Sequence, residues 1–284
     1  MANPTMLEAQ QWASSCFTGT SAGADPQLAE TLMMDLFNWR RTQLLMRLRE
    51  SLTDDQWTTY QQAVHRIANG EPEQYVTGHA MFYGHDFSVS PAVLIPRPET
   101  EELVEWLLND CPESDRPQTV VDVGTGSGAL AIATALARPT WHVTGTDISD
   151  EAIAVAKHNG ATLGASVSWV TGNLYAPITD QRFDILLSNP PYISEAERPL
   201  MDESVISYEP HGALFADEDG LALYRRLAAG LAEHLTTHGR AYFEIGYAQG
   251  PAVVALMQQA MPSATVTLKQ DITGHDRMVR VTLG

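Results

Sequence analysis

The stretch SNPPY (188–192) follows the apolar run FDILL (183–187) and combines a carboxamide, two prolines and a phenol. Because proline has no backbone N–H, the carbonyl of Pro190 is free to face a ligand, and the two rings hold the loop in one shape. The Asn189 side chain adds another acceptor oxygen and two N–H donors. These groups could together grip a small, flat, polar group at the end of a buried strand.

A suitable group would be an NH₂ conjugated to a carbonyl or a ring, which is planar and a poor nucleophile. Asn189 Oδ1 and the Pro190 carbonyl can accept its two hydrogens and aim its nitrogen at an electrophilic methyl group, with Tyr192 packed on the flat face. We therefore predict Asn189, Pro190 and Tyr192 as catalytic residues. No strong general base is needed, because the proton can leave after the transfer. A plain proline-rich turn is the alternative.

The glycine-rich stretch DVGTGSGAL (122–130) places Gly124, Gly126 and Gly128 between a predicted strand and a predicted helix. Glycines let a bound molecule approach the backbone, and the start of a helix offers unpaired N–H groups. Asp147 ends the next predicted strand, nineteen residues after Gly128, where a carboxylate can accept both hydroxyls of an adenosine ribose. Together these features predict an adenosine ligand and suit NAD and S-adenosylmethionine equally. The glycines alone could also form a tight structural turn.

The loop VTGNLYAP (170–177) follows the third predicted strand. Asn173 could donate or accept a hydrogen bond at the edge of an adenine, and Leu174 could pack on the ring. An asparagine that only tolerates a turn conformation is the alternative.

Apolar runs that alternate with helical patterns after Pro117 predict the elements that position these loops. The predicted strands are TVVDVG, WHVTGTD, SVSWV, FDILLS, RAYFEIG and a final pair near 264–269 and 278–283. Helices are predicted at 129–137 and 152–163. Strands buried on both faces and alternating with helices indicate an α/β fold with a doubly wound, mostly parallel, seven-stranded sheet. Ligands of such sheets bind at the carboxyl ends of the strands, where these loops lie.

A helical pattern precedes the sheet and predicts a small helical bundle. Its leucines, with the last three expected on one face, are Leu28, Leu32, Leu36, Leu44, Leu45 and Leu48. Asp25-Pro26 predicts a helix start with proline at the first helical position, and the stretch NGEP (69–72) predicts the end of the last helix.

Two short alternating segments, QYVTG (74–78) and HDFSVSPAVL (85–94), come between the bundle and the sheet and predict a hairpin-like linker. We therefore predict three parts. These are a helical partner-recognition domain over 1–72, a hairpin-like linker over 73–95 and a ligand-binding α/β domain over 96–284.

The amino-acid composition limits the classes of partner that we expect. Lys and Arg number 17 against 35 Asp and Glu, so the formal charge is 17 − 35 = −18, which argues against nucleic acid as the main partner and favours a basic or neutral protein. Cys16 and Cys111 form no CxxC motif, and the nine histidines show no metal-ligand spacing. No signal segment and no run of about 18 apolar residues is present in the sequence, so we expect a cytoplasmic protein without a membrane anchor.

DVGTGSG, Asp147 and NPPY together resemble the motifs of the class I S-adenosylmethionine-dependent methyltransferases that act on a planar nitrogen. The run 72–105, with IPRPETE (95–101) as its most characteristic part, is similar to the linker and first helix of the bacterial peptide chain release factor N5-glutamine methyltransferases. The helical N-terminal region and FEIG (243–246) agree with that family, so the resemblance covers essentially the whole chain.

The resemblance implies a Rossmann-like methyltransferase fold and methylation of the side-chain amide nitrogen (N5) of the glutamine in the Gly-Gly-Gln loop of class 1 release factors. It implies S-adenosylmethionine as cofactor, S-adenosylhomocysteine as product and no metal. The implied cofactor contacts are Gly124, Thr125, Gly126, Ser127, Gly128, Asp147, Asn173, Leu174 and Asn189, and the implied substrate contacts are Asn189, Pro190, Pro191 and Tyr192. Family members often have Asp and then a bulky residue where Asn173 and Leu174 stand.

Other functions fit parts of this pattern. A glutamine methyltransferase of a large-subunit ribosomal protein would share NPPY but usually diverges at IPRPETE. An adenine-N6 DNA methyltransferase would need a basic target-recognition domain. An NAD-dependent oxidoreductase would leave NPPY without a purpose, and a non-catalytic binding module would not need both Asp147 and Asn189.

Overall fold

The computed structural model describes residues 3–112 and 116–284, and the chain divides into two compact units. The first unit holds the chain up to His79 together with Asp202–Tyr208, and the second holds Ala80–Met201 and Glu209–Gly284. Within the described ranges, no helix has the length and apolar character that crossing a membrane requires.

The first unit is built from helices. They are α1 (Met6–Phe17), α2 (Leu28–Phe37), α3 (Arg41–Arg47), α4 (Asp54–Ala68), α5 (Glu73–Thr77) and, from later in the chain, α9 (Glu203–Tyr208). Capping boxes of Thr5 with Glu8 and of Thr53 with Gln56 begin α1 and α4, because each pair satisfies backbone N–H groups that the first turn leaves free. The buried Tyr60 hydroxyl donates to the Ala29 carbonyl at 2.7 Å and joins α4 to α2.

Two details of this unit differ from the sequence-based expectation. Helix α2 begins at Leu28 rather than at Pro26, because the Asp25 carboxylate accepts the N–H of Gln27 at 2.8 Å and forms a turn ahead of the helix. Leu45 is 51% exposed although Leu44 is fully buried, since neighbouring residues of a helix point about 100° apart. The predicted end of α4 is confirmed, with Asn69 as its C-cap and Gly70 at φ +94°.

The segment between the bundle and the sheet is only partly extended. QYVTG was expected to be extended, but it lies almost entirely in α5, because Pro72 precedes the helix and Gly78 ends it in the left-handed conformation. The hairpin consists of β1 (His79–Phe82) and β2 (His85–Ser88). Tyr83 and Gly84, with φ of 49° and 75°, form the two-residue turn, whose positive φ values match the twist of the strands.

The second unit contains the seven-stranded sheet, and the predicted fold class is confirmed. Its strands are β3 (Thr119–Val123), β4 (His142–Asp147), β5 (Val167–Thr171), β6 (Phe183–Ser188), β7 (Leu235–Glu244), β8 (Thr265–Gln270) and β9 (Asp276–Thr282). Their order is β5-β4-β3-β6-β7-β9-β8, and all neighbours are parallel except β9, which runs antiparallel to β7 and β8. The direction of strand succession reverses between β3 and β6, so a crevice opens beyond their carboxyl ends.

Helices cover both faces of the sheet. They are α6 (Pro98–Asp110), α7 (Ala129–Ala137), α8 (Asp150–Leu163), α11 (Ala222–His234) and α12 (Gly250–Ala260). The short helix α10 (His211–Leu214) precedes α11 in the chain. Because side chains alternate along a strand, Val120 joins the apolar cluster formed with α6 and α7, whereas Val121 joins the one formed with α11 and α12. The sheet is therefore packed against helices on both faces, and this packing holds the loops at the carboxyl ends of its strands in fixed positions.

Candidate functional site

The glycine loop after β3 faces open space at two of its three glycines. Gly124 and Gly126 have φ of +78° and +55°, a conformation that favours glycine, and a Cβ on either would meet no atom within 4 Å. The N–H groups of Gly124 and Thr125 both donate to the Thr146 carbonyl, at 2.9 and 2.8 Å. The loop is thus anchored to β4 while its outer surface is accessible to a ligand.

The end of the same loop is packed tightly instead. A Cβ on Gly128, which has φ +84°, would lie 2.9 Å from both Trp169 and Ile132. The buried Asn159 side chain donates to the carbonyls of Ser127 and Ser88, each at 2.9 Å. Ser127 and Gly128 therefore fix the loop against its neighbours.

Asp122, which the sequence analysis did not select, lies fully buried beneath the loop. Its Oδ2 accepts the hydroxyl of Thr125 at 2.6 Å, so that hydroxyl is directed into the protein. Burial raises the pKa of the Asp122 carboxyl to about 7, although hydrogen bonds from Thr125 and from the backbone of Ala131 oppose the rise. Asp122 therefore stabilises the glycine loop from its buried side.

Asp147 ends β4 with both carboxylate oxygens already oriented. Oδ2 accepts the N–H of Gly126 and Oδ1 accepts the N–H of Ser149, each at 2.9 Å. A carboxylate oxygen can accept more than one hydrogen bond, so both can still accept from a ligand. The structure brings Asp147 and the open part of the glycine loop together.

Asn173 and Leu174 lie in the loop after β5. Asn173 Oδ1 accepts a hydrogen bond from the Arg226 guanidinium at 2.8 Å, which leaves the NH₂ of its carboxamide as the free donor. The left-handed conformation falls on Leu174, at φ 50°, and its side chain packs against the cluster that contains α11 and α12. Contact of this pair with an adenine stays a prediction.

The SNPPY loop begins at the end of β6, beside the glycine loop. Asn189 is half-buried and its Nδ2 donates to Thr100 Oγ1 at 3.3 Å. Pro190 is buried and Pro191 half-buried. The Tyr192 hydroxyl is directed inward and donates to Glu244 Oε1 at 3.4 Å. Burial raises the pKa of that hydroxyl, and the nearby Glu244 carboxyl raises it further.

Glu244, the last residue of β7, is the buried acid at the centre of this region and is 1% exposed. Its Oε2 accepts the hydroxyl of Thr100 at 2.6 Å, and its main-chain carbonyl accepts the hydroxyl of Tyr224 at 2.6 Å. Burial raises the pKa of the Glu244 carboxyl to about 7, against the lowering effects of Thr100 and Arg277.

Two further contacts hold the backbone around Tyr192. The Gln249 carboxamide donates to the carbonyls of Tyr192, at 2.8 Å, and Asp219, at 3.2 Å. Gly220 has φ +79°, and a Cβ there would lie 2.0 Å from the Tyr192 carbonyl oxygen, so no other residue fits without a shift of the backbone. The loop that carries the phenol is therefore fixed from two sides.

The IPRPETE stretch is tied to the same unit by Glu209, whose side chain is 1% exposed. Glu209 accepts the N–H of Ile95 at 3.3 Å and forms an ion pair with Arg97. This contact fixes the entry to α6, the helix that presents Thr100.

Besides Asp122, four residues around the SNPPY loop were not selected from the sequence: Thr100, Glu209, Glu244 and Gln249. Two of them had a signal in the sequence. Glu244 is a charged residue at the end of an apolar strand, and Thr100 lies inside the motif that carries the family resemblance. No property of the local sequence distinguishes Glu209 or Gln249 from ordinary surface residues.

The arrangement suits binding and orientation of a ligand. It offers open space at the glycine loop, the carboxylate of Asp147 at the end of β4, and the Asn189 carboxamide, whose NH₂ donates to Thr100 and whose oxygen is free. Among residues 3–112 and 116–284, no group of His, Cys, Asp and Glu side chains has the geometry of a metal site.

Two protein families match the chain. The PrmC N-terminal domain matches residues 8–78, and the methyltransferase small domain matches residues 100–214. The second range contains the glycine loop, Asp147 and the SNPPY loop.

Curated relatives match over nearly the full length. The release factor glutamine methyltransferase of Enterococcus faecalis is 43% identical over 272 residues, covering 96% of this chain and 97% of the relative. The enzyme of the same name from Bacillus anthracis is 43% identical over 278 residues, covering 96% and 98%. A solved methyltransferase from Pyrococcus furiosus is 16% identical with a TM-score of 0.53 over 71% of this chain and 90% of its own, a likeness of fold.

Proposed function

This chain belongs to the release factor glutamine methyltransferases, and on that premise we propose that it transfers a methyl group from S-adenosylmethionine to the side-chain amide nitrogen (N5) of a release factor glutamine. The substrate glutamine is that of the Gly-Gly-Gln loop of class 1 release factors. The proposal is carried by the position of Asn189, which follows β6 at the point where the strand order reverses, beside the glycine loop of β3.

The glycine loop and Asp147 fit S-adenosylmethionine. The open space at Gly124 and Gly126 leaves room for the cofactor against the backbone, and Asp147 has free acceptor capacity for a ribose. Asn173 and Leu174 would lie at the adenine. When bound, the cofactor supplies an electrophilic methyl group on a sulfonium.

Asn189 and Pro190 would orient the substrate amide. Asn189 Oδ1 and the Pro190 carbonyl accept its two hydrogens, which aims the face of the nitrogen at the methyl, and Pro191 and Tyr192 line the flat group. Held in this way, the nitrogen would face the methyl group that the cofactor would supply, with S-adenosylhomocysteine as the by-product, and the proton displaced from the nitrogen would pass to solvent. The chain contributes chiefly orientation, for which effective molarities are large.

Residues 1–72 would recognise the release factor outside the glutamine loop. Residues 73–95 would form the linker, and residues 96–284 would carry out the transfer. The net charge of −18 favours a basic or neutral protein surface as partner over nucleic acid.

Mass spectrometry tests the proposal. A purified, unmodified class 1 release factor is incubated with this protein and S-adenosylmethionine, and peptides are searched for one added CH₂. We expect it on the Gly-Gly-Gln glutamine with the wild-type protein and not with Asn189→Ala. Absence of the methyl with wild-type protein that binds the cofactor by calorimetry would overturn the substrate assignment, and ribosomal protein glutamines would be tried next.

A further inference from the structure

Three side chains from distant parts of the chain form a continuous line of hydrogen bonds behind the SNPPY loop. Glu244 lies at the end of β7, Thr100 in the first turn of α6 and Asn189 just after β6. The Thr100 hydroxyl donates to Glu244 Oε2 at 2.6 Å, and Asn189 Nδ2 donates to Thr100 Oγ1 at 3.3 Å. Thr100 is 4% exposed and Glu244 1% exposed, so water competes little for these bonds.

The donors and acceptors that each side chain carries determine which group donates in each of these hydrogen bonds. An ionised carboxylate only accepts hydrogen bonds, so the single hydroxyl hydrogen of Thr100 goes to Glu244. The Thr100 oxygen then offers only lone pairs to Asn189, and these pair with the NH₂ end of the carboxamide. The Asn189 oxygen is therefore turned to the other side, away from Thr100.

We propose that Thr100 and Glu244 are positioning residues for methyl transfer, holding the Asn189 carboxamide with its oxygen toward the substrate NH₂. This inference rests on the proposed function of Asn189. Without the line of hydrogen bonds the carboxamide could rotate by half a turn and present its NH₂ to the substrate NH₂, and two donors repel each other.

The same carboxylate also holds the other end of the loop. The Tyr192 hydroxyl donates to Glu244 Oε1 at 3.4 Å, while Thr100 occupies Oε2. One buried acid thus orients both Asn189 and Tyr192, the first and last members of the substrate contact.

The charge state of Glu244 makes the arrangement sensitive to pH. Arg277 on β9 favours the ionised carboxylate, and Glu99 on α6 disfavours it. The Tyr192 hydroxyl donates to the carboxylate, whereas the Tyr224 hydroxyl donates to the main-chain carbonyl of Glu244. With burial included, the pKa of the carboxyl is about 7. A protonated Glu244 carboxyl has an O–H of its own and can donate it to Thr100. The Thr100 hydroxyl is then no longer committed to Glu244, and the hydrogen bonds no longer fix the orientation of the Asn189 carboxamide. We therefore expect kcat to fall as the pH drops below about 7.

Variants at Thr100 test the line directly. Thr100→Val keeps the shape and removes the hydroxyl, Thr100→Ser keeps the hydroxyl, and Thr134→Val removes another buried hydroxyl, on α7, as a control. We expect Thr100→Val to lower kcat about tenfold to a hundredfold, with KM for the release factor and cofactor affinity by calorimetry unchanged, because one hydrogen bond of a buried network is lost. Thr100→Ser should recover most of the kcat, and Thr134→Val should keep all of it.

Glu244→Gln tests the charge independently of the Thr100 variants. A carboxamide can meet Thr100 with either its oxygen or its NH₂, so we expect a lower kcat and no fall in kcat below about pH 7. A wild-type profile in this variant would overturn the proposal. So would Thr100→Val with normal kcat, or with the same kcat as Thr100→Ser. Each of these results would still leave the wild type able to methylate the glutamine. If the proposed function itself is wrong, the wild type does not methylate it.

Discussion

The hydroxyl of Ser188 donates to the carbonyl oxygen of Val123 at 2.6 Å. This buried bond joins the last residue of β6 to the last residue of β3, the two parallel strands from which the SNPPY loop and the glycine loop emerge. The serine of SNPPY therefore fixes the spacing between the proposed substrate and cofactor loops.

Ser188→Ala should lower the free energy of unfolding by about 1–3 kcal/mol, because the buried Val123 carbonyl loses its side-chain partner. Urea denaturation measures this. Ser15→Ala is the matched control, since the Ser15 hydroxyl donates to the Trp12 carbonyl at the same 2.6 Å but from an exposed position, and it should change the stability by less than about 0.5 kcal/mol. If the two variants lost the same free energy of unfolding, the buried bond between Ser188 and Val123 would not stabilise the protein more than an exposed one.

Asn189→Ala should abolish methyl transfer and spare most of the cofactor affinity. The variant removes one of two acceptors for the substrate NH₂, and the glycine loop and Asp147 remain. Turnover of the release factor and calorimetry with S-adenosylmethionine measure the two effects. Near-normal turnover would remove Asn189 from the transfer step.

Asp147→Ala should weaken cofactor binding, because two hydrogen bonds to a carboxylate are lost, each contributing about 1.5–3 kcal/mol. Glu151→Ala changes an exposed acid of the following helix and should leave the affinity unchanged. Calorimetry compares the two variants. If Asp147→Ala binds as the wild type does, the ribose contact lies elsewhere.

Gly124→Ala and Gly128→Ala should separate binding from folding. Both glycines have positive φ, so each substitution costs about 1 kcal/mol or more of stability. Gly128→Ala should cost more, because its Cβ would collide with Trp169 and Ile132 at 2.9 Å, whereas a Cβ on Gly124 points into open space. Gly124→Ala should instead have the larger effect on cofactor affinity. Urea denaturation and calorimetry of both variants test the contrast.

The stability of the protein should depend on the charge of Glu244. The pKa of this carboxyl is about 7 in the folded protein against an ordinary 4.5, so between these values the folded protein keeps a proton that the unfolded chain has released. The free energy of unfolding therefore falls as the pH rises through this range and levels off above it. The contribution amounts to about 3 kcal/mol.

Glu244→Gln removes this contribution, so its stability relative to the wild type should increase from about pH 4 to about pH 8. Urea denaturation at the two pH values measures the change. Glu197→Gln, at an exposed position, is the control and should keep a constant difference from the wild type. A constant difference for Glu244→Gln as well would contradict the assignment of a titrating buried carboxyl.

Much of the fold and part of the candidate site follow from the sequence alone. The apolar runs predict all seven strands, and the helices at 129–137 and 150–163 lie close to their predicted positions. The glycine loop, Asp147 and SNPPY could be selected because glycine, proline and a polar residue at a strand end act locally. Local signals were insufficient at Asp25-Pro26, where an aspartate side chain competed for the backbone, and at QYVTG, where flanking Pro72 and Gly78 favoured a helix over the alternating pattern.

Only the tertiary structure determines what surrounds the SNPPY loop. Thr100 and Glu244 are 144 residues apart in the chain, and Thr100 and Asn189 are 89 apart, yet each pair forms a hydrogen bond. No periodicity or propensity encodes such pairs, because they depend on the order of the strands and on the packing of α6 against the sheet. The same holds for the buried state of Glu244, since a carboxyl acquires a raised pKa only when the folded chain excludes water from it.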